Sequence, residues 1–161
     1  MKMIGRLAAL GLMLAPVPAL ADDGGYAEPY RLLQQANRQL DPDLAASAYT
    51  ADGVLIFELP GLPTETFKGT QSIRAAYVRT FSQVDPGTPI AIDFRFATAA
   101  PEAPRHEGVY RLKARAGGRE ITAYGRFTVT LAKGRDGWRF AEDRGTIATA
   151  ADFERLPPSK L

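Results

Sequence analysis

Four side chains of this 161-residue sequence could take part in proton transfer: Tyr49, Glu58, His106 and Glu142. His106 is the single histidine, and a histidine beside a carboxylate or a tyrosine can act as an acid or a base near neutral pH. Glu142 and Tyr110 are its candidate partners. The alternative is a surface histidine at a strand end, directly after Pro104 and Arg105. The sequence favours this second interpretation.

Metal chemistry is limited by the residue types that the sequence contains. With one histidine and no cysteine, a multi-histidine metal site is excluded, and a zinc site would need carboxylates alone. We therefore expect neither a metal nor a cofactor.

Charged residues end the last alternating segment of the chain. If Trp138 and Phe140 face the core, strict alternation places Glu142 and Arg144 on the same face. Two interpretations follow for this charged pair. The two side chains either form an ion pair that lines a wet pocket mouth, or they extend into solvent.

A sheet has to position these side chains, because the second half of the sequence alternates between apolar and polar residues. Four strands are predicted, at about 90–98, 106–115, 120–133 and 138–144. The last two flank a glycine-containing turn and predict a long antiparallel hairpin. Phe127, Val129 and Leu131 share one face of that hairpin. Trp138 and Phe140 can join this face if the register pairs them with it.

Helical spacing is confined to the first half of the chain. Apolar residues from Tyr26 to Leu40 recur on one helical face and predict a first helix. Asp41 before Pro42 is a typical helix start, so a second, short helix is expected to carry 44–49. Thr70 is expected to cap a third helix.

Between the second and third helices, the apolar segment 54–59 is typical of an internal strand. Helices that come early and strands that come late indicate an α+β fold with the helices on the concave face of a curved sheet.

The charge balance gives no sign of a nucleic-acid partner. The sequence has 20 basic and 18 acidic residues, and removal of an N-terminal segment with Lys2 and Arg6 leaves 18 of each. The basic residues are interspersed with acidic ones, whereas a nucleic-acid surface needs them clustered. Residues 22–161 have the length of one domain.

Three segments of the sequence resemble the nuclear transport factor 2-like superfamily, in its SnoaL-like and ketosteroid isomerase-like branch. They are Ala45-Ala46-Ser47-Ala48-Tyr49-Thr50-Ala51-Asp52-Gly53-Val54, Phe67-Lys68-Gly69-Thr70-Gln71-Ser72-Ile73-Arg74, and the hairpin from Gly125-Arg126-Phe127 to Gly137-Trp138-Arg139-Phe140. The resemblance implies a conical barrel made of a mainly antiparallel sheet and about three N-terminal helices. It also implies a pocket between helices and sheet, and often a homodimer.

The resemblance gives a set of pocket residues to expect. They are Tyr30, Tyr49, Phe57, Tyr77, Tyr110, Phe127, Trp138, Phe140 and Arg144. The catalytic residues of the isomerases do not carry over: the general base falls on Phe57, the tyrosine falls near Leu33, and the protonated aspartate falls near Thr128. Glu58 is the nearest carboxylate to the base position and reaches the pocket only if its strand is bulged or its register slips by one residue.

Three functions are therefore considered for the domain. The first is the binding of a small apolar or amphipathic molecule without ketosteroid isomerase chemistry. The second is an isomerase, dehydratase or hydrolase that uses Tyr49, Glu58, His106 or Glu142 in a non-standard site. The third is a dimeric interaction module, in which Tyr124, Arg126 and Thr128 on the convex sheet face meet a second copy.

The N-terminal sequence predicts export. A basic start with Lys2 and Arg6 precedes an apolar segment, and Ala19-Leu20-Ala21 matches a signal peptidase site. Pro16 and Pro18 disfavour an uncleaved membrane anchor. Residues 1–21 are thus expected to be a Sec-type signal peptide that directs the chain to the periplasm or the medium.

We expect the mature protein to begin at Asp22. N-terminal sequencing of protein recovered from the periplasmic fraction of expressing cells checks this, because cleavage after Ala21 leaves that residue first. Recovery of an intact N-terminus in the membrane fraction would contradict it.

Overall fold

A computed structural model describes residues 25–98, 104–159 and 161 of the chain. The expected signal peptide at 1–21 lies outside the described residues. In the described part, the helices are α1 (Glu28–Gln39), α2 (Pro42–Ser47), α3 (Thr70–Phe81) and α4 (Ala150–Glu154). The strands are β1 (Tyr49–Glu58), β2 (Glu65–Lys68), β3 (Ala91–Thr98), β4 (Arg105–Ala116), β5 (Arg119–Gly134) and β6 (Gly137–Ile147).

The six strands form one curved sheet that does not close, in the order β2-β1-β6-β5-β4-β3. All neighbours pair antiparallel except β1 and β6, which are parallel. The first three helices lie in the N-terminal half of the chain and contact the sheet. The α+β prediction is confirmed, as is the long hairpin, which β5 and β6 form.

The boundary between the short helix α2 and the strand β1 differs from the prediction. Asp41 caps α2 as expected, because its Oδ1 accepts hydrogen bonds from the backbone nitrogens of Asp43 and Leu44, both at 3.0 Å. The helix ends at Ser47, however, and Tyr49 already belongs to β1, where it pairs with Phe140. The prediction of helix at Tyr49 is wrong because strand pairing overrides the local helical pattern.

The start of α3 also differs from the prediction. The cap position belongs to Gly69, with φ of 80°, and Thr70 is the first helical residue. A glycine takes this left-handed backbone conformation at little cost, whereas a residue with a side chain is disfavoured there.

A C-terminal helix, α4, is absent from the sequence-based prediction. Thr149 and Asp152 form a reciprocal capping box: the Thr149 Oγ1 accepts from the Asp152 backbone nitrogen at 3.1 Å, and the Asp152 Oδ2 accepts from the Thr149 backbone nitrogen at 2.9 Å. The motif is visible in the sequence, but the helix that it caps is only five residues long.

This helix covers part of the convex sheet face, although helices were expected on the concave face. Phe153 is fully buried there, with the guanidinium carbon of Arg95 4.0 Å from its ring centroid. Tyr124 packs against the same ring at 5.8 Å, and Arg126 pairs with Asp152 at 3.4 Å. The expectation that the helices lie on the concave face is therefore wrong for α4. The homodimer itself stays a prediction.

Glycines on the concave face make room for large rings on the neighbouring strand. Gly125 pairs with Tyr110, and a Cβ at Gly125 would lie 2.2 Å from the Cζ of that ring. Gly108 pairs with Phe127 in the same way, at 2.6 Å. The two rings therefore lie over bare backbone, and Phe127 packs into the core with Val129 and the other inward residues of β5.

We predict that Gly125→Ala destabilises the protein by about 1 to 3 kcal/mol, because the new methyl group would overlap the Tyr110 ring. Urea denaturation measures the change. Gly134→Ala is the matched control on the same strand, since its Cβ would be no closer than 3.8 Å to another residue. Equal losses in the two variants would contradict the packing argument.

Candidate functional site

A β-bulge in β6 changes which side chains face the interior. Phe140 pairs with Leu131, but Glu142 pairs with Thr130, so Ala141 is an extra residue on the β6 side. Beyond the bulge, the alternation of the strand is inverted. Asp143 and Gly145 consequently face the concave side, and the expectation that Glu142 and Arg144 share the face of Phe140 is wrong.

The parallel neighbour β1 is irregular at the same level. Tyr49 pairs with Phe140 and Val54 pairs with Glu142, so four residues of β1 stand opposite Ala141 alone. Gly53 lies in this irregular segment, where a Cβ would be 3.0 Å from the Thr50 carbonyl oxygen and 3.1 Å from that of Phe140. The crowded backbone at this level fits a glycine best.

The concave side of the sheet and helices α1 and α3 enclose a cavity of about 550 Å³. Seven of its described lining residues are aromatic: Tyr30, Phe57, Tyr77, Phe94, Tyr110, Phe127 and Phe140. Aliphatic side chains fill much of the remaining wall, and the bulge adds the carboxylate of Asp143 and the bare backbone of Gly145. This is the composition of a site for a small, mainly apolar molecule.

Asp143 is the inner end of a chain of hydrogen bonds. The Tyr49 hydroxyl donates to Asp143 Oδ2 at 2.7 Å, and the Tyr77 and Tyr49 hydroxyl oxygens are 3.0 Å apart. Since Tyr49 has one proton and donates it to Asp143, Tyr77 is the donor in the second bond. The chain joins β6, β1 and α3 at one point of the cavity wall.

Burial sets the protonation behaviour of this cluster. Desolvation raises the pKa of Asp143 to about 6, although the hydrogen bond from Tyr49 acts in the opposite direction. Burial, and then the charge of Asp143, raise the pKa of Tyr110 to about 12. The pKa values of Tyr49 and Tyr77 are raised too, first by burial and then by Asp143. A carboxyl group of this kind can change charge, or accept a proton, close to neutral pH.

His106 is buried, so the favoured interpretation as a surface histidine is wrong. It is 4% exposed, and its Nδ1 is hydrogen-bonded to the Tyr30 hydroxyl at 2.9 Å. The reason is its register opposite Val129, which places it on the concave face under Tyr26 and Phe96. His106 is not among the residues that line the cavity, whereas Tyr30 is.

The predicted pocket residues fall into three groups. Six of them line the cavity: Tyr30, Phe57, Tyr77, Tyr110, Phe127 and Phe140. Tyr49 is buried and reaches the site through its bond to Asp143. Trp138 and Arg144 are not lining residues. Trp138 packs on Tyr26 with ring centroids 4.3 Å apart, and the bulge directs Arg144 to the other face.

The two glutamates proposed for chemistry accompany Arg144 outside the cavity. Arg144 forms an ion pair with Glu58, and its Nη2 lies 3.5 Å from Glu142 Oε1. Glu58 stays outside because β1 is regularly paired with β6 from Val54 to Glu58, with Phe57 and not Glu58 on the cavity side. Asp143 was missed because strict alternation pointed it outward, and nothing about Ala141 indicates a bulge.

An exposed ion pair lies at the open side of the cavity. Arg79 Nη1 and Nη2 donate to Glu65 Oε1 and Oε2 at 2.9 and 2.6 Å, and both residues are lining residues. The guanidinium carbon of Arg79 is 5.3 Å from the centroid of the Phe67 ring. In solvent this pair contributes little to stability, but its two charges offset each other at the entrance.

The whole fold is similar to that of several solved proteins. A ketosteroid isomerase-like protein from Erwinia carotovora atroseptica superposes with a TM-score of 0.56 at 17% identity, over 81% of this chain and 98% of that one. An NTF2-like protein with a cystatin-like fold from Novosphingobium aromaticivorans gives 0.55 at 15% identity, over 84% and 89%. The chain has the nuclear transport factor 2-like fold.

A third structure with this fold contains a small molecule. It is a protein with a ketosteroid isomerase-like fold from Catenulispora acidiphila in complex with trimethylamine, with a TM-score of 0.57 at 13% identity over 81% of this chain and 94% of that one. No protein-family model and no curated protein sequence matches this chain. For this nuclear transport factor 2-like domain, the similarity therefore shows the fold, and the chemistry has to be argued from its own cavity.

Two findings complete the description of the site. In the described residues, no group of three or more histidine, cysteine, aspartate or glutamate side chains is placed to hold a metal ion. No helix in the described ranges is long and apolar enough to cross a membrane.

We predict that Asp143 makes the protein less stable as the pH rises from about 4 to about 6. The pKa of Asp143 is about 6 in the folded protein, against an ordinary value of 3.8 that applies to the unfolded chain. Between these two values the carboxyl group is protonated in the folded protein and ionised in the unfolded chain, so a rise in pH favours unfolding. The contribution is fully present below pH 4 and is lost through pH 6. The difference of about 2 pKa units corresponds to about 3 kcal/mol.

Urea denaturation of wild type and Asp143→Asn at several pH values tests this. The free energy of unfolding of the wild type, minus that of the variant, should fall by about 2 to 3 kcal/mol between pH 4 and pH 7. Subtraction removes the titration of all other groups. A difference that does not change with pH would mean that Asp143 is not desolvated.

Proposed function

We propose that the cavity binds a small, mainly apolar molecule with one polar group directed at Asp143. The observation that carries this proposal is the composition of the wall, in which seven aromatic rings and the half-buried carboxylate of Asp143 surround about 550 Å³. Pockets of this size and polarity are typical of sites for small ligands. The presence of trimethylamine in one structure of the same fold supports a small-molecule role.

The polar group of the ligand has defined partners in this proposal. Asp143 Oδ2 accepts from Tyr49, and among the described residues none donates a hydrogen bond to Oδ1. Tyr110 lines the same space. A hydroxyl, amine or carbonyl group near Oδ1 would therefore find either an acceptor or a tyrosine donor, while the rings bury the rest of the molecule.

A second candidate is acid–base catalysis at Asp143, and the raised pKa of about 6 favours it. A carboxylate whose pKa lies close to the working pH can accept a proton from a bound molecule and return it. The expectation that the domain lacks isomerase residues considered Phe57, Leu33 and Thr128. The structure adds a cavity carboxylate outside those three positions.

The N-terminal sequence has the pattern of a cleaved signal peptide. This pattern supports the further proposal that the protein binds its ligand in the periplasm or outside the cell. Determination of the N-terminus of the exported protein, as described above, tests this separately from ligand binding.

Binding in the cavity is tested by closing it. We predict that Gly145→Leu weakens the binding of 1-indanone at least tenfold in ligand-observed NMR, since a Cβ at Gly145 already lies 3.4 Å from the Phe57 ring and the remaining atoms would enter the cavity. Thr130→Leu is the control, because Thr130 is exposed on β5. Equal affinities in the two variants would contradict binding in the cavity.

The same NMR experiment, run in D₂O, distinguishes acid–base catalysis at Asp143 from binding alone. Exchange of the protons next to the indanone carbonyl for deuterium, faster with wild type than with Asp143→Asn, would support acid–base catalysis. Equal exchange rates would reject catalysis at Asp143 and leave the binding proposal unaffected.

A further inference from the structure

The charges around the cavity do not cancel in its interior. Three charged side chains line it: Asp143, Glu65 and Arg79. Arg79 and Glu65 are joined by two hydrogen bonds at the exposed side, so their charges offset each other. Among the described residues, no lysine or arginine forms an ion pair with Asp143. The interior of the cavity thus contains an unbalanced carboxylate.

Asp143 is half-buried, and a partly desolvated carboxylate without a cation beside it is costly. The tyrosine bond offsets only part of that cost. Tyr49 donates one neutral hydrogen bond to Oδ2, and none of the described residues donates to Oδ1. A positive charge within a few ångströms of Asp143 would favour its ionised form and lower the cost of burial. Among the described residues, no cation of the wall pairs with Asp143, so a cationic ligand would supply this charge.

The rest of the wall also suits a cation. Aromatic ring faces carry negative electrostatic potential and attract ammonium groups that lie within about 6 Å of a ring centroid. Tyr30, Tyr77 and Tyr110 line the same cavity as Asp143. The charge of Asp143 is the second cause, after burial, of the raised pKa of each tyrosine. Rings and carboxylate therefore act in the same direction.

We propose that the natural ligand of this cavity is an organic cation, a protonated or quaternary amine whose nitrogen lies against Asp143 and whose apolar body contacts the aromatic wall. This inference rests on the proposed function and specifies its ligand class. It also gives Asp143, which has no cationic partner among the described residues, a role as the counter-charge of the ligand. An anionic ligand is disfavoured because it would approach Asp143 without a compensating positive charge.

A set of isosteric probes tests the charge without changing the shape. Choline, 3,3-dimethylbutan-1-ol and 3,3-dimethylbutanoate share one branched body and differ in charge. At pH 8 we expect choline to bind the wild type at least tenfold more tightly than the alcohol, and the carboxylate to bind more weakly than either, as measured by ligand-observed NMR titration.

Asp143→Asn assigns the preference to this carboxylate. The variant keeps the shape and an acceptor for Tyr49 but removes the charge, so its affinity for choline should fall at least tenfold while that for the alcohol changes less than twofold. Asp93→Asn is the matched control: it removes the same charge from Asp93, whose Oδ2 lies 3.0 Å from Arg111 Nη2, away from the cavity lining. It should retain the wild-type preference.

The pH dependence gives a second readout that does not require a variant. Choline affinity of the wild type should fall as the pH drops below about 6, where Asp143 becomes protonated, and alcohol affinity should not. Glu65 and Arg79 also line this cavity, and the hydrogen bonds from Arg79 hold the pKa of Glu65 below its ordinary value, so this pair stays charged. The remaining titratable groups on this side are Tyr49 on β1, Tyr77 on α3, Tyr110 on β4 and Tyr30 on α1. Their raised pKa values keep them neutral throughout this range.

His106 lies behind Tyr30 and is unchanged in Asp143→Asn. A flat choline profile in that variant therefore assigns the pH effect to Asp143.

The outcomes distinguish the two proposals. Equal binding of choline and the alcohol by the wild type would overturn the cation assignment and leave a site for neutral apolar molecules. A choline preference that survives in Asp143→Asn would also overturn it, because the charge would then come from elsewhere. Failure of both the indanone and these probes to bind would contradict the proposed function as well.

Discussion

The bulge at Ala141 determines the chemical character of this domain. Without it, β6 would continue its alternation past Phe140 and direct Glu142 and Arg144 to the concave face. One inserted residue instead brings Asp143 and Gly145 inward and leaves those charges outside, where Arg144 pairs with Glu58. A bulge re-aims every later side chain of a strand, so one residue changes the site without changing the fold.

The cavity stays open because the large rings are accommodated at the sheet. Tyr110 lies over Gly125 and Phe127 over Gly108, so each ring occupies space that a Cβ would otherwise fill. Gly145 then leaves the wall beside Phe57 without a side chain. Tyr30 holds the helical side in place, with ring centroids 5.0 Å from Phe96 and Phe140. These contacts pack the aromatic wall closely while the centre of the cavity remains free.

The sequence predicts the scaffold of this domain better than its site. Apolar alternation identified β3 to β6, and helical spacing identified α1 and α3, because burial of one face imposes a period that is visible in the residues. Six pocket aromatics followed from the family resemblance. Asp143 did not, since the bulge depends on how β1, β5 and β6 pair over long sequence distances, and Ala141 carries no local mark of it. His106 was misjudged for a related reason: its burial depends on α1, which is 76 residues away at Tyr30.

The balance at Asp143 makes its charge sensitive to the contents of the cavity. Desolvation favours the neutral acid, whereas the hydrogen bond that Tyr49 donates favours the carboxylate, and their combination places the pKa near 6. An apolar ligand that expels water would strengthen the first effect and favour protonation. A cation would do the reverse. Because Tyr77 donates to Tyr49 and Tyr49 to Asp143, the tyrosine chain is oriented toward an ionised acceptor, which is the state that a cationic ligand would select.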